Sequence, residues 1–216
     1  MSDIRKEVKN VRRDYNSGEL SESEMPKNPY AVFENWMKTA LDEKLKEPNA
    51  FTISTVVDQQ PDSRVVLLRD FSEDGLIFYT NYSSKKAKDL EKNPQVSINF
   101  FWAELDRQIR IKARVEKLDP LKSDNYFASR PRESQLGAWA SNQSDELESR
   151  DRLEKSLKAF EEKFENTDQI PRPDFWGGYL MVPHFFEFWQ GRSSRLHDRI
   201  CYEKSNNEWK MKRLYP

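Results

Sequence analysis

"QVSINFFW" (95–102) and, after "AELD", "RQIRIKARVEKL" (107–118) decide the fold. Val96, Ile98, Phe100 and Trp102 recur at every second residue of the first, and Ile109, Ile111, Ala113 and Val115 at every second residue of the second. Side chains alternate across a β-strand, so both segments read as half-buried antiparallel strands. Upstream, "FTISTVV" (51–57), "SRVVLLRDF" (63–71) and "LIFYTN" (76–81) read as successive strands, the last two joined by the turn "SEDG". Downstream, "GYLMVPHFFEFWQG" (178–191), "SRLHDRICYE" (194–203) and "EWKMKRLY" (208–215) continue the pattern, with Pro183 suited to an edge or a bulge.

Helical spacing fills the gaps. "PYAVFENWMKTALDEKL" opens on Pro29 and sets Phe33, Trp36, Met37, Ala40 and Leu41 on one face. "SKKAKDLEKN" (84–93) starts from a serine cap and stops before Pro94. "LKSDNYFAS" ends at "RPR", and "ESQLGAWAS" makes a second short piece. "DELESRDRLEKSLKAFEEKF" (145–164) is amphipathic through Leu147, Leu153, Leu157, Phe160 and Phe164. The order predicts an α+β protein, an antiparallel β-barrel with flanking helices. Residues 29–216 form its single domain, and residues 1–28 a charged, mobile N-terminal arm.

Composition removes several functions. Net charge is −1 with a pI near 6.2, which argues against nucleic-acid binding by bulk charge, so any anion site must be local. The lone Cys201 excludes an internal disulfide and suits a reducing compartment. "MSDIRKEVKN" lacks an apolar core and no run is long enough to span a bilayer, so the expected location is the cytoplasm and no membrane partner is expected. GxGxxG, GxxxxGK[ST] and GxSxG are all missing. His184 and His197 are the two histidines, a poor set of zinc ligands with one cysteine, and no metal is expected. Hard chemistry would then belong to an organic cofactor.

Cations gather where an anion would explain them. Lys85 and Lys86 fall in the first turn of a helix, the positive end of its dipole. Arg64 and Arg69 bracket "VVLL", five residues apart, so only a bulge or a strand end would bring them to one ligand. Tyr126, Arg130, Arg132 and Ser134 surround the helix break "SRPR". Arg195, His197 and Arg199 alternate, so a regular strand puts all three on one face, where repulsion asks for an anion. Asp198 points the other way. Each feature has a plain alternative: solvated lysines, snorkelling strand ends, an exposed turn, a structural histidine. Their recurrence on separate segments points to a phosphorylated small ligand.

"RVVLLR", "FYTNYSSKKAKDLEKNP", "RQIRI", "YFASRPRESQLGAWASNQS", "FWGGYLMVP" and "EFWQGRSSRLHDR" occur in this order. From about Val11 to Pro216 the chain resembles the pyridoxine (pyridoxamine) 5′-phosphate oxidase family. The resemblance implies an FMN-binding split β-barrel and a homodimer with sites at the subunit interface. It implies oxidation of pyridoxine or pyridoxamine 5′-phosphate to pyridoxal 5′-phosphate, with O2 reduced to H2O2. It assigns FMN to Arg64, Val65, Leu67, Leu68, Arg69, Tyr79, Thr80, Lys85, Lys86, Gln108, Gln143, Ser144, Trp189 and Arg199. Substrate phosphate falls to Tyr126, Arg130 and Ser134, with Arg69 close to both ligands. Arg195 and His197 face the pyridine ring as the catalytic pair, beside Leu196, and Arg12, Arg13, Asp14 and Tyr15 of the arm close over it. Two positions depart from the family pattern: Arg69 stands where lysine is usual and Lys85 where arginine is usual. The same barrel could alternatively serve as a non-catalytic FMN or pyridoxal-phosphate binder, or as a flavin reductase.

Overall fold

The computed structural model describes residues 2–16 and 18–216; Met1 and Ser17, both in the expected arm, lie outside the described residues. Helices α1 (Ser2–Asn10) and α2 (Pro29–Asp42) precede strands β1 (Ala50–Val57), β2 (Gln60–Leu67), β3 (Asp70–Ser72) and β4 (Gly75–Asn81). Helix α3 (Lys85–Lys92) leads into β5 (Gln95–Trp102) and β6 (Arg107–Lys117). Helices α4 (Pro120–Ser129), α5 (Arg132–Ala140) and α6 (Arg150–Lys163) come next. Then follow β7 (Trp176–Gln190), β8 (Asp198–Ser205) and β9 (Glu208–Arg213). The sheet runs β2-β1-β5-β6-β7-β4-β3, with β8 on β7 and β9 on β8. The α+β class and the antiparallel sheet are those expected from the alternation: in β5 and β6 every apolar position named above is buried.

By contacts the chain divides into two compact units. The first comprises the chain up to Pro48, Phe100–Arg110 and Phe185–Pro216; the second comprises Asn49–Asn99 and Ile111–His184. In the second, β1 and β2 form a hairpin whose turn residues Asp58 and Gln59 both have positive φ, the twist that suits a two-residue connection. Strand β1 also pairs with β5, and β4 lies between β3 and β7. Ile53, Phe78 and Ile98 are fully buried here. Phe127, Leu136, Phe164, Ile170 and Trp176 make a further apolar cluster, with Leu157 and Phe160 packed on it.

In the first unit, Asn28 caps α2 by accepting from the Tyr30 N–H at 3.1 Å, one residue before Pro29 in the first turn. Phe33 packs edge-on against Phe100 at 5.5 Å and Trp36 against Phe188 at 5.3 Å. Strands β7, β8 and β9 pair in sequence. No helix among the described residues is long and apolar enough to cross a membrane.

Several expectations need correction. "SRVVLLRDF" is not one strand: β2 ends at Leu67, and the Leu68 and Arg69 N–H groups donate to the Asn49 and Ile77 carbonyls before β3 begins. The long amphipathic segment starts at Arg150, where the Ser149 side chain accepts from the Arg152 N–H; Leu147 stays outside the helix and half exposed. Leu41 is likewise exposed, past the buried stripe of α2. Helix α1 was not foreseen in so charged a stretch. Pro183 sits inside β7, between the residues paired with β4 and those paired with β8.

The Arg195–His197–Arg199 strand face does not exist. Ser193–Arg195 form a 3₁₀ turn in which Ser194 and Arg195 have φ of 55° and 61°, and β8 starts only at Asp198. Arg199 alone of the three lies on the strand. Its charge is met by Glu187 of β7, which accepts from Nε at 2.9 Å and Nη2 at 3.1 Å. Asp198 serves Arg192 and Arg213 instead.

Candidate active site

The second unit holds two clusters of site residues. At the first, the α3 N-terminus presents N–H groups that have no acceptor within the helix. Ser84, its N-cap, is fully buried and makes no side-chain cap bond. Lys85 reaches Asp62 at 2.8 Å and Asp89 at 3.2 Å. Arg64 donates to Thr55 Oγ1 at 2.9 Å and contacts Asp62 at 2.6 Å and Asp89 at 3.8 Å. Hydrogen bonding from Lys85 draws the Asp62 pKa down, and the same bond raises that of Lys85.

Lys86 is different. It is buried, and among the described residues Nζ meets only neutral oxygens: Gln143 Oε1 at 2.8 Å, Thr80 Oγ1 at 3.1 Å and Ser84 Oγ at 3.4 Å. Desolvation, then repulsion from Arg64, pulls its pKa down to about 8. Arg64 and Lys85 thus share the two carboxylates, and the buried Lys86 is left without one among the described residues. A buried ammonium lacking a carboxylate is costly, and a bound phosphate would supply the missing charge.

The second cluster surrounds the α4–α5 break. Gln135, buried, donates through Nε2 to the carbonyls of Phe127, Ala128 and Arg130, stapling the two helices across Pro131. Tyr126 stacks on Tyr79 at 3.9 Å, and Tyr79 on Trp176 at 5.4 Å. The Arg130 guanidinium lies over the Trp176 ring, 4.7 Å from its centroid, and its Nη1 is buried with no hydrogen-bond partner. Burial lowers the Arg130 pKa, and Arg69 repels it further. Ser134 is half-buried at the start of α5. Arg132 turns away to the carbonyls of Phe164 and Thr167.

In the first unit, Tyr15, Trp189 and His197 pack together: Tyr15 meets both rings edge-on, at 5.8 Å and 5.4 Å, and Trp189 lies 4.7 Å from His197. Gly191 makes room, since a Cβ there would stand 2.9 Å from the Tyr15 ring. The Arg192 N–H donates to His197 Nδ1 at 3.0 Å. A backbone N–H can only donate, so the neutral imidazole carries its proton on Nε2. Arg195 is exposed, and its left-handed backbone, uncommon without glycine, is the kind of strain that gathers at functional sites.

The remaining assigned residues divide between buried and open positions. Arg13 is tied to Asp106 and the Ala103 carbonyl, while Arg12, Asp14 and Leu196 are exposed. Val65, Arg69 and Gln143 are exposed, Leu67 and Gln108 half-buried, and Leu68 buried. Ser144 is exposed with φ of 78°. Tyr79, assigned to the cofactor by resemblance, stacks with the proposed substrate residue Tyr126. Sequence reading missed Asp62, Asp89, Gln135, Trp176 and Glu187. Glu187 carried a signal: one acid among the aromatics of "HFFEFWQ" needs a buried partner, and it has two, Arg199 and Arg110.

Comparison with known proteins identifies the family of the chain. The family profile "Pyridoxamine 5′-phosphate oxidase" matches residues 37–164, and "Pyridoxine 5′-phosphate oxidase C-terminal dimerisation region" matches 176–216. The pyridoxine/pyridoxamine 5′-phosphate oxidase of Christiangramia forsetii is 51% identical over 99% of this chain and 100% of its own. That of Acaryochloris marina is 50% identical over 97% and 95%. Among solved structures, PhzG from Burkholderia lata, in complex with tetrahydrophenazine-1-carboxylic acid, superposes with a TM-score of 0.86 at 29% identity, covering 93% of this chain and 100% of that one. A pyridoxamine 5′-phosphate oxidase-related, FMN-binding protein from Nostoc punctiforme gives 0.70 at 18% identity, covering 89% and 100%, and shares the split-barrel fold. The chain belongs to the pyridoxine/pyridoxamine 5′-phosphate oxidase family and is an oxidase of that family.

Proposed function

We propose that this chain is an FMN-dependent oxidase of vitamin B6 salvage and biosynthesis. It oxidises pyridoxine 5′-phosphate, or pyridoxamine 5′-phosphate with uptake of water and release of ammonia, to pyridoxal 5′-phosphate and reduces O2 to H2O2. Two cations carry the reading. Lys86 is buried against neutral oxygens alone, and Arg130 holds a buried nitrogen with no partner. Each asks for an anion, and flavin mononucleotide and a phosphorylated vitamer bring one phosphate each. The donor set fits FMN: Arg64, Lys86, Thr80 and Gln143 surround the α3 N-terminus. Family resemblance alone assigns Trp189 and Arg199 to the same cofactor.

When bound, FMN would supply the hydride-accepting and O2-reducing chemistry that turns the vitamer carbon into an aldehyde. Arg130, with Tyr126 and Ser134, holds the substrate phosphate. Arg195 orients the ring, and His197 offers Nε2–H as a fixed donor towards the oxidised position. Its Nδ1 is occupied by the Arg192 N–H, so the ring positions a hydrogen bond while the alcohol or ammonium proton leaves to solvent. Tyr15 and the arm limit water at the ring stack. The dimerisation region at 176–216 supports a homodimer, and the free Cys201 accords with the cytoplasm.

The test follows absorbance of the purified protein near flavin wavelengths, then peroxide and aldehyde after pyridoxine 5′-phosphate is added in air. Equal amounts of both products are expected. A yellow protein that makes neither would support a carrier, and one bleached by NAD(P)H a reductase. A protein that cannot be loaded with FMN would overturn the cofactor.

A further inference from the structure

Arginines that recognise anions are usually fixed by carboxylates, and each such bond removes an N–H from the ligand. Arg130 has no carboxylate and no side-chain hydrogen bond among the described residues. What locates its guanidinium is aromatic: the Trp176 face at 4.7 Å and the Phe127 ring at 5.5 Å. Trp176 is itself immobilised. It is 7% exposed, stacks on Tyr79 within 8° of parallel, meets Phe127 edge-on at 5.1 Å, and its carbonyl accepts from Arg172 Nη1 at 2.5 Å.

We infer that Trp176 is a positioning residue for anion recognition: its indole face holds the Arg130 guanidinium in place without a hydrogen bond that would compete with the substrate phosphate. The inference rests on the proposed assignment of Arg130 to that phosphate. The physical reason is separable from packing. A cation over an aromatic face is attracted by the ring quadrupole, most strongly for tryptophan, and the attraction grows when water is excluded, as around the buried Arg130 Nη1. A carboxylate in the same place would fix the arginine but neutralise it and occupy the fork that grips phosphate.

The experiment uses the flavin-loaded protein and four forms: wild type, Trp176→Phe, Trp176→Leu and Arg130→Ala. Each is titrated calorimetrically with pyridoxal 5′-phosphate and with unphosphorylated pyridoxal, and kcat and KM are measured for pyridoxine 5′-phosphate. Trp176→Leu is expected to weaken pyridoxal 5′-phosphate binding about tenfold or more, the worth of a desolvated cation–π contact. Pyridoxal affinity and kcat should stay near wild type. Trp176→Phe keeps a ring and should lose about threefold, between the two, on the same scale. Equal losses for both ligands, or phenylalanine as poor as leucine, would reduce Trp176 to a packing residue and overturn the inference. Wild-type binding in Trp176→Leu with a defective Arg130→Ala would overturn the inference alone. Wild-type binding in Arg130→Ala would overturn the phosphate assignment and the inference with it.

Discussion

Lys86 shows how much a single side chain can report about a missing ligand. Its unfolded pKa is 10.5 and its folded value about 8, because burial penalises the charge. Between those values the unfolded chain binds more protons, so stability rises with pH across the window, and the full penalty is present below about pH 8. Flavin-free protein should therefore gain thermal stability relative to Lys86→Met between about pH 8 and 10.5, and saturating FMN should flatten the difference. Parallel melting curves in the flavin-free state would contradict the burial argument. Lys86→Met should also weaken FMN binding by about tenfold to a hundredfold, the worth of a charge-assisted hydrogen bond, measured by flavin fluorescence. His197 gives a second test at this scale. Glutamine can replace its Nε2–H donor and asparagine the Nδ1 acceptor, so kcat of His197→Gln should exceed that of His197→Asn by about tenfold. The reverse order would make the Arg192 contact the important one. Residues of this kind are only half legible in sequence. Lys86 and Arg130 stand out by their motifs, but Trp176 looks like any core aromatic until the guanidinium is seen on its face.

At the scale of elements, legibility followed locality. Strands β5 and β6 were readable because burial there is set by the residues' own alternation. The turn at 193–195 was not. Arg-Leu-His-Asp-Arg has a strand's period, yet its backbone is fixed by the Leu196 N–H to Ser193 bond, the Arg192–His197 bond and two left-handed residues. Helix α6 misled for the opposite reason: its pattern extends back to Leu147, but the Ser149 cap starts the helix later. Close approach is equally hidden. Gly178 faces Tyr79 across β4–β7, and a Cβ there would lie 2.8 Å from that ring and 2.8 Å from Leu118. Gly178→Ala should destabilise by about 1–3 kcal/mol through overpacking, visible as a lowered Tm, and would also disturb the ring on which Tyr126 stacks. An unchanged Tm would mean that both neighbours move aside freely.

For the molecule as a whole, the arm is the segment least described by its own sequence. Glu19 pairs with Arg192, Glu22 with Arg213, and the Leu20 N–H donates to Asp198, so acids of the arm meet arginines downstream and an arm amide meets an acid of β8. The Arg213 bond draws the Glu22 pKa from 4.5 down to about 2. Its contribution is therefore present above about pH 4.5 and lost as pH falls towards 2. These contacts are largely exposed, so salt should weaken them as well. Arg213→Ala should speed proteolysis of residues 19–22 by severalfold at neutral pH, with wild type approaching the same rate in high salt. Equal cleavage rates would show that the other contacts of the arm retain it without Arg213.

Pro183 carries one consequence further. Besides pairing with β6, strand β7 changes partner across a residue with no amide proton, from β4 before it to β8 after it. A ladder interrupted in this way need not open as one cooperative unit. Deuterium uptake should accordingly separate the amides of 176–181 from those of 185–190, each set exchanging with the strand it faces, so that one covalent strand reports two independent opening free energies.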